Sequence, residues 1–473
     1  MRVPRAGETP ADRGDFLARR ASLLFYGYWD IAFLPVIVGS IAANYLLSMA
    51  LVNRPPGAKV LLAVGIAGNL GLLGYFKYTN FALGTLNDAL GADIHWTTVV
   101  LPIGISFFTF QQIAFLVDTY QGRSSERSFA RYALFVSFFP QLIAGPIVHH
   151  RETMEQFAQP RSNRWADIGA GMTLLLIGLV KKMVIADGAA IPSSAIFDAA
   201  AAGTAPGFGD TWLAALCYAL QIYFDFSAYS DMAVGLGRMF GIDLPINFAS
   251  PYKARSIIDF WRRWHITLSR FLRDYLYVPL GGNRHGPSRR HVNLMLTMAL
   301  GGIWHGAGWT FLIWGLLHGG YLLLNHAWSG TRAAAALASS AIWHHGAWLL
   351  TLLAVVVAWV PFRAADLATT WLLWRGMIGL NGIAPLDYAL STRTLGMIVV
   401  AYGIALLAPN SYELLRDLRL GLPSPGYPST RIDGQSRLAP WLFSRPNAAM
   451  SALALVVVVL KFNDISEFIY FQF

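Results

Sequence analysis

The chain has 473 residues and a single cysteine, Cys217, so neither an intrachain disulfide nor a cysteine-ligated metal site can be built. Cys217 lies in the apolar run LAALCYALQIYF and reads as a small packed residue. Charge is scarce as well: 13% of residues are charged and 55% are hydrophobic, with a mean hydropathy of +0.46. That balance excludes an ordinary soluble globule and predicts a polytopic membrane protein. The alternating ten-residue segments of an outer-membrane barrel are missing too, and long continuous apolar runs predict an all-α fold instead. No internal repeat and no low-complexity segment is visible. The net charge of +10 does not point to nucleic acid, because the basic residues sit in short loops between apolar runs, as in the cytoplasmic loops of membrane proteins.

Residues 1–18, MRVPRAGETPADRGDFLA, mix charge with Pro and Gly, so a flexible polar tail without a cleavable signal peptide is expected there. Residues 19–473 are expected to form one transmembrane domain of roughly 10–12 spanning or re-entrant helices. The apolar runs lie at about residues 31–51, 60–78, 99–120, 168–186, 211–238, 291–304, 308–326, 347–361, 395–408 and 448–462. Residues 409–446, rich in Pro, Ser, Gly and charge, are expected to run outside the membrane. The run 99–120 contains Pro102, Gly104, Ser106, Gln111, Gln112 and Asp118, which suits a helix lining a cavity or one hydrogen-bonded to its neighbours. The run YALFVSFFPQLIAGPIVHH, residues 132–150, carries two prolines and a glycine and is expected to be broken. His149 and His150 at its end read as interfacial loop residues, and no metal site is expected. Lys181 and Lys182 are expected to snorkel from a helix end. Asp225, in the polar cluster FDFSAYSD, is expected to pair with a basic residue of the stretch 253–290 or to hydrogen-bond the backbone and hold a bend.

The densest charge lies beside some of the most apolar sequence. Between Lys253 and Arg290 there are nine Lys or Arg against Asp259 and Asp274. Within that segment Ile258, Trp261, His265, Leu268 and Leu272 fall at helical spacing, which predicts one amphipathic helix near the cytoplasmic surface, ended by the loop GGNRHGPSRRH. The following run is short, so Trp304 and His305 are expected part-way through the membrane. An ionisable side chain at that depth is a functional-site candidate by default. His318 reads as packing.

FWRRWHITLSRFLRDYLYVPLGGN followed by GGIWHGAGWTFLIWGLLHG resembles the signature region of the membrane-bound O-acyltransferase family, in the branch of the alginate O-acetyltransferase membrane subunit. FFPQLIAGPI, FDFSAYSD and the terminal SEFIYFQF resemble the same branch. The resemblance implies an O-acetyltransferase with a catalytic core at about residues 99–326, in which His305 is the catalytic histidine and His265 lines the reaction tunnel. A neutral imidazole suits removal of a proton from an attacking hydroxyl at physiological pH. Trp304, Trp309, Asp225, Arg262, Arg263, Arg273 and Asn283 are the candidate substrate-binding residues, the arginines because forked guanidinium donors suit the phosphates of coenzyme A. Anionic lipid headgroups suit the same basic surface. The resemblance further implies acetyl-CoA as donor substrate with no bound cofactor, a location in the bacterial inner membrane, a periplasmic serine-hydrolase-like partner, and an extracytoplasmic polysaccharide such as alginate as acceptor. Peptidoglycan, cellulose or a teichoic-acid D-alanylation system are alternative acceptors. A proton-coupled transporter is the alternative from another class, although the inverted repeats many transporters show are not visible.

Overall fold

In hydrocarbon every backbone polar group must be satisfied within the protein, and a long apolar segment does this most directly as a helix. The computed structural model describes residues 10–157, 164–383, 388, 390–415, 445–464 and 466–469, and among them the regular elements are helical with no strand.

Helix α1 (Pro10–Trp29) overturns part of the expected tail, of which residues 1–9 lie outside the described residues. Pro10 stands where a missing N–H is harmless, and the following Ala, Arg, Leu and Phe are adequate helix formers despite Gly14. Then come α2 (Leu34–Leu51) and the 33-residue α3 (Ala58–Leu90). Helix α4 (Ile105–Tyr120) starts later than its apolar run, because Pro102 and a left-handed Gly104 (φ +72°) hold the preceding residues out of the helix. A Cβ on Gly104 would lie 2.7 Å from the Leu142 carbonyl oxygen, so the turn also needs glycine for space.

The expected break follows: α5 (Phe129–Ser137) and α6 (Phe139–Leu142) are succeeded by non-helical residues before α7 (His150–Phe157). Backbone groups freed there find partners, the Phe135 carbonyl accepting from Gln141 Nε2 at 2.8 Å and the Ile147 N–H donating to Thr267 Oγ1 at 2.9 Å.

Helix α8 (Arg164–Val180), a π-helical turn (Lys181–Ala186) and α9 (Asp187–Ala201) form one long rod against α10 (Phe208–Met239), most of which is buried. The backbones nearly touch: a Cβ on Gly171 would lie 2.4 Å from the Gly235 carbonyl oxygen. The π-turn also corrects the expectation for the two lysines, which turn inward instead of snorkelling. Lys181 pairs with Asp231 at 2.9 Å, and Lys182 with Asp225 at 2.7 Å and Asp187 at 2.8 Å.

The chain continues through α11 (Ile257–Arg263), α12 (Ile266–Leu272), α13 (Gly286–His305), α14 (Trp309–Ser329), α15 (Arg332–Leu337), α16 (Ala341–Arg363), α17 (Leu367–Met377), α18 (Thr392–Leu406), α19 (Ser411–Leu414) and α20 (Arg445–Lys461). Most of the expected extramembrane connection, residues 416–444, lies outside the described residues. Among the described residues four helices are long and apolar enough to cross a membrane, Ile31–Leu51, Ala58–Leu90, Trp165–Ala201 and Ala341–Arg363, and the fold is that of an all-α, multi-pass membrane protein.

Candidate active site

His305 is the last residue of α13 and is 3% exposed. Its position follows from the close pairing of α13 with α14, set by glycines. A Cβ on Gly302 would lie 2.3 Å from the Phe311 carbonyl oxygen, and one on Gly315 would lie 2.4 Å from the Met298 carbonyl oxygen. Just past the histidine, a Cβ on Gly306 would collide with the Phe311 ring, so the tight exit of WHG is a steric requirement. The His305 ring stands edge-on to Trp314 at 5.0 Å and Phe362 at 5.3 Å.

His265 comes to the same place by a different device. The amphipathic helix expected over this region is two short helices, broken where Trp264 is extended and His265 is left-handed (φ 41°, ψ 55°). Trp264, Ile266, Thr267 and Leu268 are all buried beside it, so there is no solvent face to orient a continuous surface helix. Asn247, fully buried, fixes the break. Its Oδ1 accepts from the Thr267 N–H at 3.2 Å and from Thr267 Oγ1 at 2.9 Å, and lies 3.2 Å from His265 Nδ1. An oxygen that accepts from a backbone N–H cannot donate, so His265 carries its proton on Nδ1 and Nε2 is the ring's acceptor. The two histidine rings lie 6.3 Å apart, centroid to centroid, although 40 positions separate them in sequence.

Lys77 was not singled out by the sequence, where it sits unremarked in an apolar run. It is 9% exposed, and its Nζ donates to the Trp304 carbonyl at 2.6 Å and the His305 carbonyl at 3.0 Å. Its neighbour Tyr78 donates to the Ile303 carbonyl at 2.8 Å. Lys77, Pro102, Gly104, Ser106, Trp304 and His305 line a cavity of about 100 Å³ at this end of α13. From Trp304 a column of rings, Phe110, Phe271, Tyr275 and His149, leads away at spacings of 5.0, 4.1, 5.0 and 5.6 Å. It ends where Tyr275 donates to Asp118 at 2.9 Å and Arg270 grips Glu152. His149 and His150 are therefore packed onto this network, His150 Nδ1 lying 3.3 Å from Asp118, and are not loose loop residues.

The other candidates separate. Trp304 is in the site, stacked on Phe110. Trp309, half exposed, starts α14 with its ring against Phe81. Asp225 is removed from the expected pairing with the central basic stretch, because Lys182 and the Ile469 N–H occupy it. Arg263 is held by Asp259 at 2.8 Å and Arg273 by Asp274 at 2.7 Å, while Arg262 and Asn283 are exposed. Asn283 lies beyond the opposite end of α13 from His305. His318 is packing, enclosed by Trp261, Trp314 and Tyr321.

Residues 69–360 match the MBOAT, membrane-bound O-acyltransferase, family, which makes the all-α bundle around the two converging histidines a membrane acyltransferase. The chain belongs to that family and is a membrane O-acetyltransferase. It is 46% identical over 393 residues to a peptidoglycan O-acetyltransferase of Helicobacter pylori, covering 77% of this chain and 73% of that protein. It is 37% identical over 468 residues to a probable alginate O-acetylase of Pseudomonas putida, covering 96% and 93%. A teichoic acid D-alanyltransferase of Bacillus subtilis is 31% identical over 228 residues, 46% of this chain and 56% of that protein.

Proposed function

We propose that this protein passes an acetyl group from cytoplasmic acetyl-CoA towards hydroxyls of an extracytoplasmic polysaccharide of the alginate type, with His305 as the base. The observation that carries the reading is that His305 lines a cavity while His265, fully buried and outside the cavity's lining, stands 6.3 Å from its ring. In the transfer, the imidazole of His305 takes the hydroxyl proton as the oxygen attacks the acetyl carbonyl. The C–S bond then breaks, and the thiolate of coenzyme A recovers a proton from the imidazolium, so that thioester and alcohol become ester and thiol. His265, held by Asn247, orients the reacting groups. The basic residues at the far end of α13 suit the donor's phosphates. The protein works in the bacterial inner membrane, and a periplasmic serine-hydrolase-like partner completes delivery to the polymer.

The test is thioester cleavage and polymer acetylation by the reconstituted protein. His305→Ala, inserted normally, is expected to abolish both; retained acetylation removes His305 as the base. The 46% identity to a peptidoglycan O-acetyltransferase favours a second reading, in which the acceptor is peptidoglycan. Ester-linked acetate measured on both polymers in a deletion strain distinguishes them, and unchanged acetate on both overturns each.

A further inference from the structure

A helix leaves its last four carbonyls without intrahelical partners, and at membrane depth each must be met. The usual device, a left-handed glycine after the helix, is not used at the end of α13, because Gly306 is extended (φ −155°, ψ 150°). Three of the four carbonyls are instead met by two adjacent residues of α3, Tyr78 on Ile303 and Lys77 on Trp304 and His305. Lys77 also lies 3.5 Å from Ser106 Oγ in the first turn of α4, and Lys77, Ser106 and His305 all line the same cavity. A cation at a helix C-terminus is favoured by the helix dipole, and one ammonium that binds two successive carbonyls leaves the residue between them little freedom.

We infer that Lys77 is the positioning residue of the transfer, fixing the His305 backbone against the cavity wall from α3, with Tyr78 as its assistant; this rests on the reading of His305 as the base. The glycine contacts hold α13 to α14 but do not reach the terminal carbonyls. Without Lys77 the last turn of α13 is free to fray towards the cavity, and the imidazole leaves the position from which it takes the hydroxyl proton. A displacement of about 1 Å in such a site lowers turnover on the order of 10²-fold. Donor binding, which uses other groups, is left nearly intact.

The experiment compares wild type, Lys77→Met, Lys77→Arg, Tyr78→Phe and His305→Ala in proteoliposomes, measuring kcat, donor KM and thermal unfolding. Lys77→Met is expected to lower kcat by about 10²-fold with donor KM changed less than about threefold, and Lys77→Arg to recover part of the loss. Tyr78→Phe, the milder change, is expected to fold normally and lose about 3- to 10-fold in kcat. A folded Lys77→Met protein with wild-type kcat, or a loss that only follows the unfolded fraction, overturns the inference. Should Lys77→Met not fold, wild-type kcat in Tyr78→Phe does so. If His305→Ala itself retains full activity, the base assignment fails, whatever the Lys77 variants do.

Discussion

His265 holds a left-handed backbone that a non-glycine residue rarely adopts, a conformation that persists only where the surroundings enforce it. Asn247 is the enforcing residue: besides the three contacts of its Oδ1, its backbone carbonyl accepts from the Ile266 N–H at 2.9 Å. Asn247→Ala would strip three buried donors of their acceptor, at about 1–3 kcal/mol for each left unsatisfied. The expected result is a lower melting temperature together with a loss of turnover on the order of 10- to 100-fold as the ring loses its orientation. Asn247→Asp keeps the acceptor and is expected to retain more of both. Wild-type turnover in a folded Asn247→Ala protein would show that the orientation of His265 is immaterial. His305, His265 and Trp304 were legible because their motif letters are distinctive. Lys77, Tyr78 and Asn247 act through contacts across 225 or more residues in the first two cases and 18 in the third, and local composition does not encode such contacts.

At the scale of elements, hydrophobic periodicity located most helices but misjudged those whose surroundings are not lipid or water. The spacing of Ile258, Trp261, His265, Leu268 and Leu272 is helical, yet continuous burial from Trp264 to Leu268 and the contacts of Asn247 let one left-handed residue divide the segment. Likewise, the lysines of the π-turn follow the carboxylates of α10 and not the headgroups. That turn makes a further expectation concrete. Lys182→Met leaves Asp225 and Asp187 without their cation inside the bundle, where removing one partner of a buried pair destabilises by about 3–5 kcal/mol. Thermal unfolding in detergent is expected to fall accordingly, and a stability equal to wild type would mean that the pair is not maintained. The glycines of the α13 and α14 pair offer an independent check. Gly302→Ala brings a Cβ to 2.3 Å from a backbone oxygen, which can be relieved only by parting the helices. Its expected effects are about 1–3 kcal/mol of destabilisation and reduced turnover, since His305 lies three residues on.

At the scale of the whole molecule, three helices share one axis, α4 running opposite to α3. Lys77 stands 19 residues into α3 and His305 stands 19 residues into α13, each about 28 Å along its axis, and the two residues meet. Helix α4 starts beside them at Ser106 and runs back, so that Gly122 beyond its end reaches Arg54 in the turn before α3. One end of this triplet therefore gathers Arg54, Lys59, Arg123, Arg127, Arg284, Arg289 and Arg290, while His305 and its cavity lie at the other. The excess of Lys and Arg in short loops supports the proposed orientation, in which the basic end faces the cytoplasm. The donor's charged portion would then stay on that side while its thioester reaches His305, and coenzyme A need not cross the bilayer. Cysteines placed singly in residues 282–288 are expected to react with a membrane-impermeant maleimide from the cytoplasmic side alone. The native background is low, because Cys217 is buried in α10. In parallel, neutralising Arg284, Arg289 and Arg290 together is expected to raise the donor KM while leaving insertion and the turnover at saturating donor largely intact. Labelling of the 282–288 turn from the periplasm would reverse the orientation, and the proposed donor route would fall with it.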